Sequence, residues 1–499
     1  MRYVSTRNKN LRVTAAEAIA MGLAPDGGLF VPESIPKFTL NDICALSGIS
    51  YSERAVRVML PFLDGFSEEE LRGWTKAAYA SGGFSNPNAA PLTLVADDTA
   101  FLELWHGPTS AFKDMALQIL PYLLKASLEK NSDTREVCIL VATSGDTGKA
   151  ALEGFRDVPG TKIVVFYPRD GVSDIQKLQM TTQEGENVFV CAVEGNFDDA
   201  QSGVKAIFAD KEFANLLESE NVFLSSANSI NWGRLLPQIV YYFSAYCDMI
   251  TSGSINKGDK INFCVPTGNF GDILAGYYAM RMGLPVNRLI CASNANRILT
   301  DFFETGVYDK NRSLFKTDSP SMDILISSNL ERLLFEESAG DDIFIRDVFR
   351  LLNTDGKYEI SENLRKKLTG VFSVGSCDDD GASMAIADVF ANSGYLMDTH
   401  TAVAWSVLSE YRNKSGDSTP AVVVSTASAY KFSGAVLKAL GDNSVTDGFK
   451  MFDRLYEITG STPPKPLLSL NGKNLRFPGS VSKDAMKAAA LSAITGKAV

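Results

Sequence analysis

The sequence predicts an α/β fold with an open, doubly wound sheet, and two observations lead to this prediction. From about residue 100 onward, short β-rich apolar runs alternate with longer amphipathic segments, as in consecutive βαβ units. The runs are apolar on both faces, which is typical of parallel strands covered by helices on each side. The predicted strands are residues 137–142 (VCILVA), 162–167 (KIVVFY), 188–193 (VFVCAV), 261–265 (INFCV), 289–293 (LICAS) and 421–425 (AVVVS).

The first hundred residues differ from this pattern and are predicted to be mostly helical. Thr14 and Glu17 have the spacing of a capping box that opens a helix ending near Gly22. Residues 25–32 (PDGGLFVP) predict a turn followed by a short extended piece.

The length of the chain favours more than one lobe, because 499 residues exceed what one ordinary core supports. Residues 305–375 lose the strand–helix alternation and are rich in charged and turn residues, so we interpret them as an insertion between sheet elements. The predicted division is a mostly helical N-terminal region (1–100), a first α/β lobe (101–260), a second α/β lobe with the insertion (261–450) and a C-terminal segment (451–499).

Composition argues against several classes of partner. Lys and Arg number 48 against 59 Asp and Glu, and the net charge of −11 disfavours nucleic acid or an anionic membrane. No apolar run approaches the roughly 18 residues that span a bilayer, and the first residues lack the apolar core of a secretory signal. Seven scattered cysteines and only two histidines disfavour disulfides and a metal site. We therefore predict a cytoplasmic protein.

Polar turns follow three of the predicted strands, where open α/β sheets bind ligands. Residues 143–151 (TSGDTGKAA) and 266–272 (PTGNFGD) each join a strand to a helix, so their backbone N–H groups can face an anion. Thr426 follows a third strand, and its hydroxyl can face the same crevice. Each of these is also explained by an ordinary turn with a capping hydroxyl. The glycines around Asn269 favour the anion site for the second segment.

Two further segments carry groups suited to binding and catalysis. Residues 226–238 (SANSINWGRLLPQ) bring amides, a hydroxyl and Arg234 together, which can grip a phosphate or carboxylate; a capped helix with a surface arginine explains them equally well. Residues 106–118 (HGPTSAFKDMALQ) hold Lys113 between Phe112 and Asp114. Partial burial would lower the pKa of this lysine and free its amine. The whole set suits a Schiff base to a phosphorylated aldehyde cofactor.

The motifs HGPTSAFKD, TSGDTG, NSINWGR and PTGNFGD, in this order, resemble those of the threonine synthase family. The opening segment and the late segments DTHTAVA (398–404) and STASAYKF (425–432) are similar as well, so the resemblance covers nearly the whole chain. It is closest to the longer branch found in yeasts and many bacteria. The resemblance implies a pyridoxal-phosphate (PLP) enzyme of fold type II, the tryptophan synthase β-like architecture with two open twisted α/β lobes. The implied reaction converts O-phospho-L-homoserine and water into L-threonine and phosphate, the last step of threonine biosynthesis.

The resemblance also implies a role for individual residues. Lys113 matches the lysine that bonds to the cofactor and is the implied catalytic residue. The implied cofactor-binding residues are Lys113, Asp146, Gly268, Asn269, Phe270, Gly271, Asp272 and Thr426; the loop 268–272 surrounds the cofactor phosphate, and Thr426 meets the pyridine nitrogen. The implied substrate-binding residues are Ser144, Thr147, Asn228, Ser229 and Arg234, the last three at the substrate phosphate. No metal is implied, and we expect a monomer or a homodimer.

Two departures from the family pattern affect these roles. Ser428 and Ala429 stand where the family usually has His-Pro, and Asp146 replaces a common asparagine, so the asparagine's contact to a cofactor oxygen does not transfer directly. We interpret His106 as a residue that shapes its turn, and Asp114 either as a charge at a helix start or as a partner of Lys113.

Three alternatives to a threonine synthase stay open at this point. They are a phospholyase that releases a keto acid, a threonine or serine dehydratase, and a non-catalytic PLP-fold protein. The AFKD and NSINWGR segments favour a phosphorylated substrate over that of a dehydratase. The intact Lys113 argues against a protein without catalytic activity.

Overall fold

The computed structural model describes residues 1–96 and 98–496, and its N-terminal part combines helices with a small antiparallel sheet. The predicted capping box is present: the Thr14 hydroxyl accepts from the backbone N–H of Glu17, and the Glu17 carboxylate accepts from the backbone N–H of Thr14. The elements are β1 (Tyr3–Ser5), β2 (Asn8–Val13), α1 (Ala15–Met21), β3 (Phe30–Pro32), α2 (Leu40–Ala45), α3 (Tyr51–Met59), α4 (Glu68–Tyr79) and β4 (Leu92–Ala96).

The next part of the chain follows the predicted alternation of strands and helices. The strands predicted at 137–142, 162–167 and 188–193 are all present, and most of their residues are buried, as expected for strands covered on both faces. The elements are β5 (Thr99–Glu103), α5 (Asp114–Leu117), α6 (Leu120–Lys130), β6 (Glu136–Ala142), α7 (Asp146–Phe155), β7 (Thr161–Pro168), α8 (Asp174–Thr181), β8 (Val188–Glu194), α9 (Phe197–Ala209), α10 (Lys211–Ser219), β9 (Val222–Ser225) and α11 (Trp232–Thr251).

The strands predicted at 261–265, 289–293 and 421–425 are also present, on either side of the segment interpreted as an insertion. That segment contains helices and a two-stranded antiparallel ladder of its own, but at its end Phe372–Ser376 forms a strand of the larger sheet, so the irregular part is shorter than predicted. The elements are β10 (Ile261–Pro266), α12 (Gly271–Met282), β11 (Val286–Ser293), α13 (Ile298–Thr305), β12 (Val307–Asp309), α14 (Leu330–Glu337), α15 (Asp342–Thr354), β13 (Lys357–Glu359), α16 (Glu362–Val371), β14 (Phe372–Ser376), α17 (Asp379–Ser393), α18 (Thr399–Ser415), β15 (Ala421–Ser425) and α19 (Ser433–Ala439).

The last part of the chain returns to the first sheet. β16 pairs with β8, and apolar residues of the final helix pack with α9 and the sheet. The elements are α20 (Gly448–Thr459), α21 (Lys465–Leu468), β16 (Ser480–Ser482) and α22 (Met486–Thr495).

Two larger sheets organise the molecule. One has five parallel strands in the order β16-β8-β7-β6-β9. The other has six strands in the order β14-β11-β10-β15-β5-β4, all parallel except β4, which runs antiparallel to β5 at the edge. Because β5 and β15 are neighbours, with Glu103 opposite Ser425, the turns that follow them leave the sheet side by side.

Burial explains the uniformly apolar segments. α11 is buried along nearly its whole length and packs against α3 and α12, which is why it lacks a polar face. Across residues 1–96 and 98–496, helices that combine the length and the apolar character needed to cross a membrane are absent. The seven cysteines all lie in this described part and are free thiols.

Candidate active site

Strands of both sheets end at one cleft, which is lined by backbone and side chains from distant parts of the chain. The turns after β5, β6, β10 and β15 border this cleft, together with the start of α11 and part of the insertion. The predicted site residues that line it are Lys113, Asp146, Thr147, Asn228, Ser229, Arg234, Gly268, Asn269, Phe270, Gly271, Asp272 and Thr426. Ser144 lies half-buried in the turn after β6 but is not among the lining residues.

The turn before α5 places Lys113, and Asp114 closes that turn. The carboxylate of Asp114 accepts from the backbone N–H of Thr109 at 2.8 Å and from its hydroxyl at 2.7 Å. A Cβ at Gly107 would lie 2.4 Å from the same carboxylate, which explains the glycine of this motif. Burial raises the pKa of Asp114 to about 6, against the lowering effect of the Thr109 donors. Asp114 therefore anchors the backbone and is not a partner of the lysine amine.

A second contact fixes Lys113 relative to the turn after β15. Ala111 and Ala427 form an antiparallel bridge, and the backbone N–H of Phe112 donates to the Thr426 carbonyl at 2.8 Å. The lysine and the Thr426 side chain are thus held on neighbouring, directly bonded segments. This arrangement follows from the adjacency of β5 and β15.

His106 lies outside the cleft. Its Nδ1 atom is 3.0 Å from the Ser85 hydroxyl, its Nε2 atom is 2.7 Å from the Glu103 carboxylate, and its ring stacks on Trp105 with centroids 4.3 Å apart. These contacts agree with its interpretation as a residue that shapes the turn.

The amine of Lys113 is buried and close to a carboxylate. Its Nζ atom lies 3.6 Å from Asp146 Oδ2, 3.5 Å from the Ser321 hydroxyl and 4.5 Å from the Phe112 ring centroid. Burial lowers the pKa of Lys113 to about 8, although Asp146 opposes this effect. About one such amine in ten is neutral at pH 7, far more than for an exposed lysine. The neutral amine is the form that acts as a nucleophile or a base.

A second lysine, Lys431, completes a charge cluster that the sequence analysis did not identify. Asp146 Oδ1 lies 2.6 Å from Lys431 Nζ and 2.8 Å from Gln176 Nε2, while Lys431 also donates to the Thr109 carbonyl at 3.1 Å. Burial alone would raise the pKa of Asp146, but Lys431 and Lys113 outweigh it and hold this pKa well below its ordinary value. Asp146 is therefore an anion between two lysines. The available signal was the STASAYKF segment, which contains Lys431.

The loop before α12 is shaped as an anion cradle. A Cβ at Gly268 would lie 2.6 Å from the Ser321 carbonyl oxygen, so backbone can approach here only without a side chain. Phe270 has a φ of 61°, a conformation that non-glycine residues rarely adopt and that is concentrated at functional sites. The helix begins at Gly271, which lines the cleft, so N–H groups of its first turn, which lack partners within the helix, are available to a ligand there.

Asp272, in the first turn of α12, joins this helix to α11. Its Oδ1 atom accepts from the Tyr241 hydroxyl at 2.6 Å and from the Tyr242 hydroxyl at 2.8 Å. Burial raises the pKa of Asp272 to about 6, although the two tyrosine donors lower it. The side chain is thus an internal tie that holds the anion cradle against the buried helix.

Arg234 supplies an unpaired positive charge to the cleft. Its Nη1 atom donates to the Ala227 carbonyl at 2.6 Å, but its buried Nε atom has no hydrogen-bond partner among the described residues. Burial lowers the pKa of Arg234 to about 10, so the group stays charged at neutral pH. Asn231 caps α11, as the alternative interpretation of this segment required, but Arg234 is buried and is not a surface arginine. A buried cationic donor without a partner is suited to bind an anionic ligand.

The insertion and α18 contribute residues that sequence reasoning missed. The backbone N–H of Ser321 donates to His400 Nε2 at 3.2 Å, and His400 Nδ1 lies 2.8 Å from Asp398 Oδ1. Because the amide can only donate, Nε2 is the acceptor and Nδ1 carries the proton shared with Asp398. His400 thereby holds Ser321 over Lys113. The histidine was visible in DTHTAVA, but nothing in the irregular insertion marked Ser321.

The turn after β15 explains one departure from the family pattern. The Ser428 hydroxyl accepts from the Tyr430 backbone N–H at 3.3 Å and caps a short 3₁₀ turn, Ala429–Phe432. Ser428 is therefore a structural cap. The Thr426 side chain lines the cleft just beyond the strand.

Comparison with known proteins identifies the family. The family models described as "Threonine synthase N terminus", "Pyridoxal-phosphate dependent enzyme" and "Threonine synthase, C-terminal" match residues 2–79, 100–353 and 401–460. Threonine synthase from Pseudomonas aeruginosa is 42% identical over 440 residues, which cover 88% of this chain and 90% of that protein. This chain belongs to the threonine synthase family.

Other relatives of this threonine synthase family member include one matched over most of its length and one that is longer than this chain. Threonine synthase from Saccharomyces cerevisiae is 37% identical and covers 88% of this chain and 89% of its own. "Threonine synthase-like 1" from Homo sapiens is 41% identical over 85% of this chain, but the chain spans only 58% of that relative's length.

Solved structures of the threonine synthase family show the same fold. The crystal structure of PLP-bound threonine synthase from Brucella melitensis has a TM-score of 0.88 at 38% identity and covers 99% of this chain and 100% of its own. Yeast threonine synthase gives a TM-score of 0.88 at 33% identity and covers 99% of each chain. The fold is therefore that of PLP-dependent enzymes of fold type II.

The residues of the cleft fit PLP. A phosphate requires close backbone approach and N–H donors, which the Gly268 position and the start of α12 provide. An aldehyde requires a partly neutral amine, which Lys113 provides. The unpaired Arg234 donor remains for a second anionic group.

Proposed function

We propose that this chain is a threonine synthase that converts O-phospho-L-homoserine and water into L-threonine and phosphate. One observation carries the proposal: a buried lysine amine shares a cleft with two groups that can bind anions, the start of α12 and Arg234. A PLP enzyme needs one of these sites for its cofactor. The second site suits a substrate that has a phosphate of its own.

The cofactor of the proposed reaction is PLP, held by residues of both sheets. The loop 268–272 would hold its phosphate, Lys113 its aldehyde group and the Thr426 hydroxyl its ring nitrogen. PLP, when bound, withdraws electrons from the substrate and so stabilises negative charge on the reacting carbons. A neutral hydroxyl at Thr426, unlike a carboxylate, would leave the ring nitrogen unprotonated and would keep this withdrawal moderate.

Lys113 moves the protons of the proposed reaction. Its Nζ atom removes the α-proton of the substrate and takes part in proton transfer at the β-carbon. Asp146 and Ser321 lie close enough to orient the amine, and His400 holds the Ser321 backbone in place. Because Lys113 is buried, its conjugate acid gives the proton up readily, so one group serves as base and then as acid.

The substrate is bound at its two anionic ends. Arg234, Asn228 and Ser229 bind the phosphate, and the positive charge of Arg234 stabilises phosphate as it leaves the γ-carbon. Thr147 and the N-terminus of α7 bind the carboxylate; Ser144, which does not line the cleft, has a lesser part. These local positive groups offset the net charge of −11 for an anionic substrate.

A phospholyase is the second candidate function. It would expel phosphate from the same substrate but release 2-oxobutyrate and ammonia, because water would hydrolyse the C–N bond and would not add at the β-carbon. It would use the same lysine amine and the same anion-binding groups of the cleft.

A single incubation separates the two candidates. The PLP-loaded protein is given O-phospho-L-homoserine, and threonine, 2-oxobutyrate and phosphate are measured together. The proposal expects threonine and phosphate in equal amounts, with little 2-oxobutyrate. Equal 2-oxobutyrate and phosphate would establish the phospholyase instead. A Lys113→Ala variant is the control and should form none of the three.

Composition and site chemistry support proposals about the partners, location and oligomeric state of the enzyme. We expect a small-molecule substrate, no nucleic-acid or membrane partner, a cytoplasmic location and a monomer or homodimer. Cell fractionation would measure the location, and sedimentation would measure the oligomeric state.

A further inference from the structure

A residue of the insertion joins the two loops that face the cleft. The Asn329 amide nitrogen, Nδ2, lies 2.9 Å from the Ser229 hydroxyl and 3.0 Å from the Asn269 carbonyl oxygen. The amide oxygen, Oδ1, accepts from Arg332 Nη1 at 2.5 Å. A guanidinium can only donate, so the atom facing Arg332 must be the oxygen. The orientation of the Asn329 amide is therefore fixed, with its nitrogen toward Ser229.

This orientation determines what the Ser229 hydroxyl can do. Because the hydroxyl accepts from Asn329, its own proton is left to donate, and within residues 1–96 and 98–496 no group takes that proton. Ser229 lines the cleft, and a Cβ at Gly271 would lie 3.1 Å from Ser229 Cβ. The hydroxyl is thus a free donor beside the N-terminus of α12.

The loop that carries Ser229 is held rigidly by the same insertion helix. Arg332 is fully buried and donates to the Ser229 carbonyl at 3.1 Å and to the Ile230 carbonyl at 2.6 Å. A fixed backbone and a fixed hydrogen bond to Oγ together preorganise the remaining proton of the hydroxyl.

We infer that Asn329 is a positioning residue, which aims the Ser229 hydroxyl proton at a phosphate monoester bound beside the start of α12. The inference rests on the proposed function, since either the cofactor or the substrate can supply that phosphate. Asn329 itself does not touch the ligand. It acts through Ser229, and its effect must therefore depend on the presence of that hydroxyl.

The test compares ligands with and without a phosphate, using direct binding rather than turnover. Apoprotein is titrated with PLP and with pyridoxal, which lacks the phosphate, and PLP-loaded protein is titrated with inorganic phosphate by calorimetry. The variants are Asn329→Ala, Ser229→Ala and the double variant. If the cofactor supplies the phosphate, Asn329→Ala weakens PLP binding about ten-fold and pyridoxal binding less than about two-fold. If the substrate supplies it, PLP binding is unchanged and inorganic phosphate binds about ten-fold more weakly.

The double variant and a matched control separate positioning from loop stability. In the Ser229→Ala background, Asn329→Ala should weaken the binding of the phosphate-bearing ligand by a further factor of less than about two, because the donor that Asn329 aims is already gone. Ser327→Ala is the control. The Ser327 hydroxyl also connects the insertion to the loop 268–272, at 2.7 Å from the Gly268 carbonyl, but it aims no donor at the cleft. Any loss of affinity in Ser327→Ala should be the same for PLP and for pyridoxal.

A further variant guards against simple loss of folding. Asn329→Asp keeps the shape and an acceptor for Arg332, but its new carboxylate would take the Ser229 proton, so a phosphate-selective loss is expected in a folded protein. The inference is overturned if Asn329→Ala affects neither phosphate-bearing ligand, if its effect persists undiminished without Ser229, or if Ser327→Ala gives the same phosphate selectivity. The binding of PLP and of pyridoxal to the apoprotein is measured whether or not threonine is formed. Failure of the proposed function is therefore distinguished from failure of this inference.

Discussion

Replacing Asp146 with asparagine should shift the titration of Lys113 to lower pH. Asp146 is the anion that opposes the effect of burial on this amine, and their charged atoms are 3.6 Å apart. At an effective dielectric constant of about 20, a charge pair at this distance interacts by about 4–5 kcal/mol, or about 3 pK units at most. An asparagine oxygen at this position can still accept a hydrogen bond from the Lys113 amine, which offsets part of this loss. We therefore expect a net decrease of about 1–2 units in the pKa of Lys113.

The assay follows covalent attachment of PLP to the apoprotein as a function of pH, by absorbance. Only the neutral amine attacks the aldehyde, so the wild-type rate should rise with pH and level off above about 8, the pKa of Lys113. For Asp146→Asn the same curve should have its midpoint about 1–2 units lower. An exposed carboxylate, Asp347, offers the control Asp347→Asn, which should leave the midpoint in place.

Stability must be checked alongside the rate, because the variant leaves two lysines buried without a carboxylate. Removing one partner of a buried pair costs about 3–5 kcal/mol, so thermal unfolding should move to lower temperature, and circular dichroism should establish that the variant is folded at each pH. A midpoint that stays at the wild-type pH or moves upward in a folded variant would refute the assigned role of Asp146.

The remaining predictions address the anion sites and the ring-nitrogen position. Arg234→Ala should lower kcat/KM for O-phospho-L-homoserine about 10–100-fold, because one charge-assisted bond to phosphate is lost, and Arg234→Lys should recover part of it; an unchanged kcat/KM would exclude this role. Thr426→Asp should raise the ratio of 2-oxobutyrate to threonine, because a carboxylate would protonate the ring nitrogen; an unchanged ratio would contradict the explanation. Gly268→Ala should weaken PLP binding, because its Cβ would lie 2.6 Å from the Ser321 carbonyl, whereas Gly73→Ala, in open space on α4, should not; equal binding by both variants would argue against the cradle.

Six strands of the two larger sheets could be predicted from sequence because a local pattern marks them, whereas β4, β5, β9, β14 and β16 were not predicted. Each of the six predicted strands is apolar on both faces, a signal that a window of a few residues contains. Strand pairing was not predictable in the same way. β5 pairs with β15, and β16 with β8, across long stretches of chain, and such pairing depends on tertiary packing that no local pattern records.

The candidate site was predictable where a motif sits at a strand end. The 268–272 loop and Thr426 follow predicted strands, Lys113 was identified from its motif, and the structure brings all of them into one cleft. Lys431 and Ser321 were missed because a 3₁₀ turn and the insertion carry them, and their contacts arise only after folding. Ser144 was included because of its motif, although its half-buried position in the turn does not line the cleft.

The most direct test of the account is to find which lysine holds the cofactor. PLP-loaded protein is treated with borohydride, digested, and the peptide carrying the reduced cofactor is identified by mass spectrometry. Lys431 provides an internal comparison, because it is buried next to the same Asp146 carboxylate but is bonded to it directly at 2.6 Å. The account predicts modification at Lys113 alone. Modification at Lys431, or a protein that retains no reduced cofactor, would contradict it.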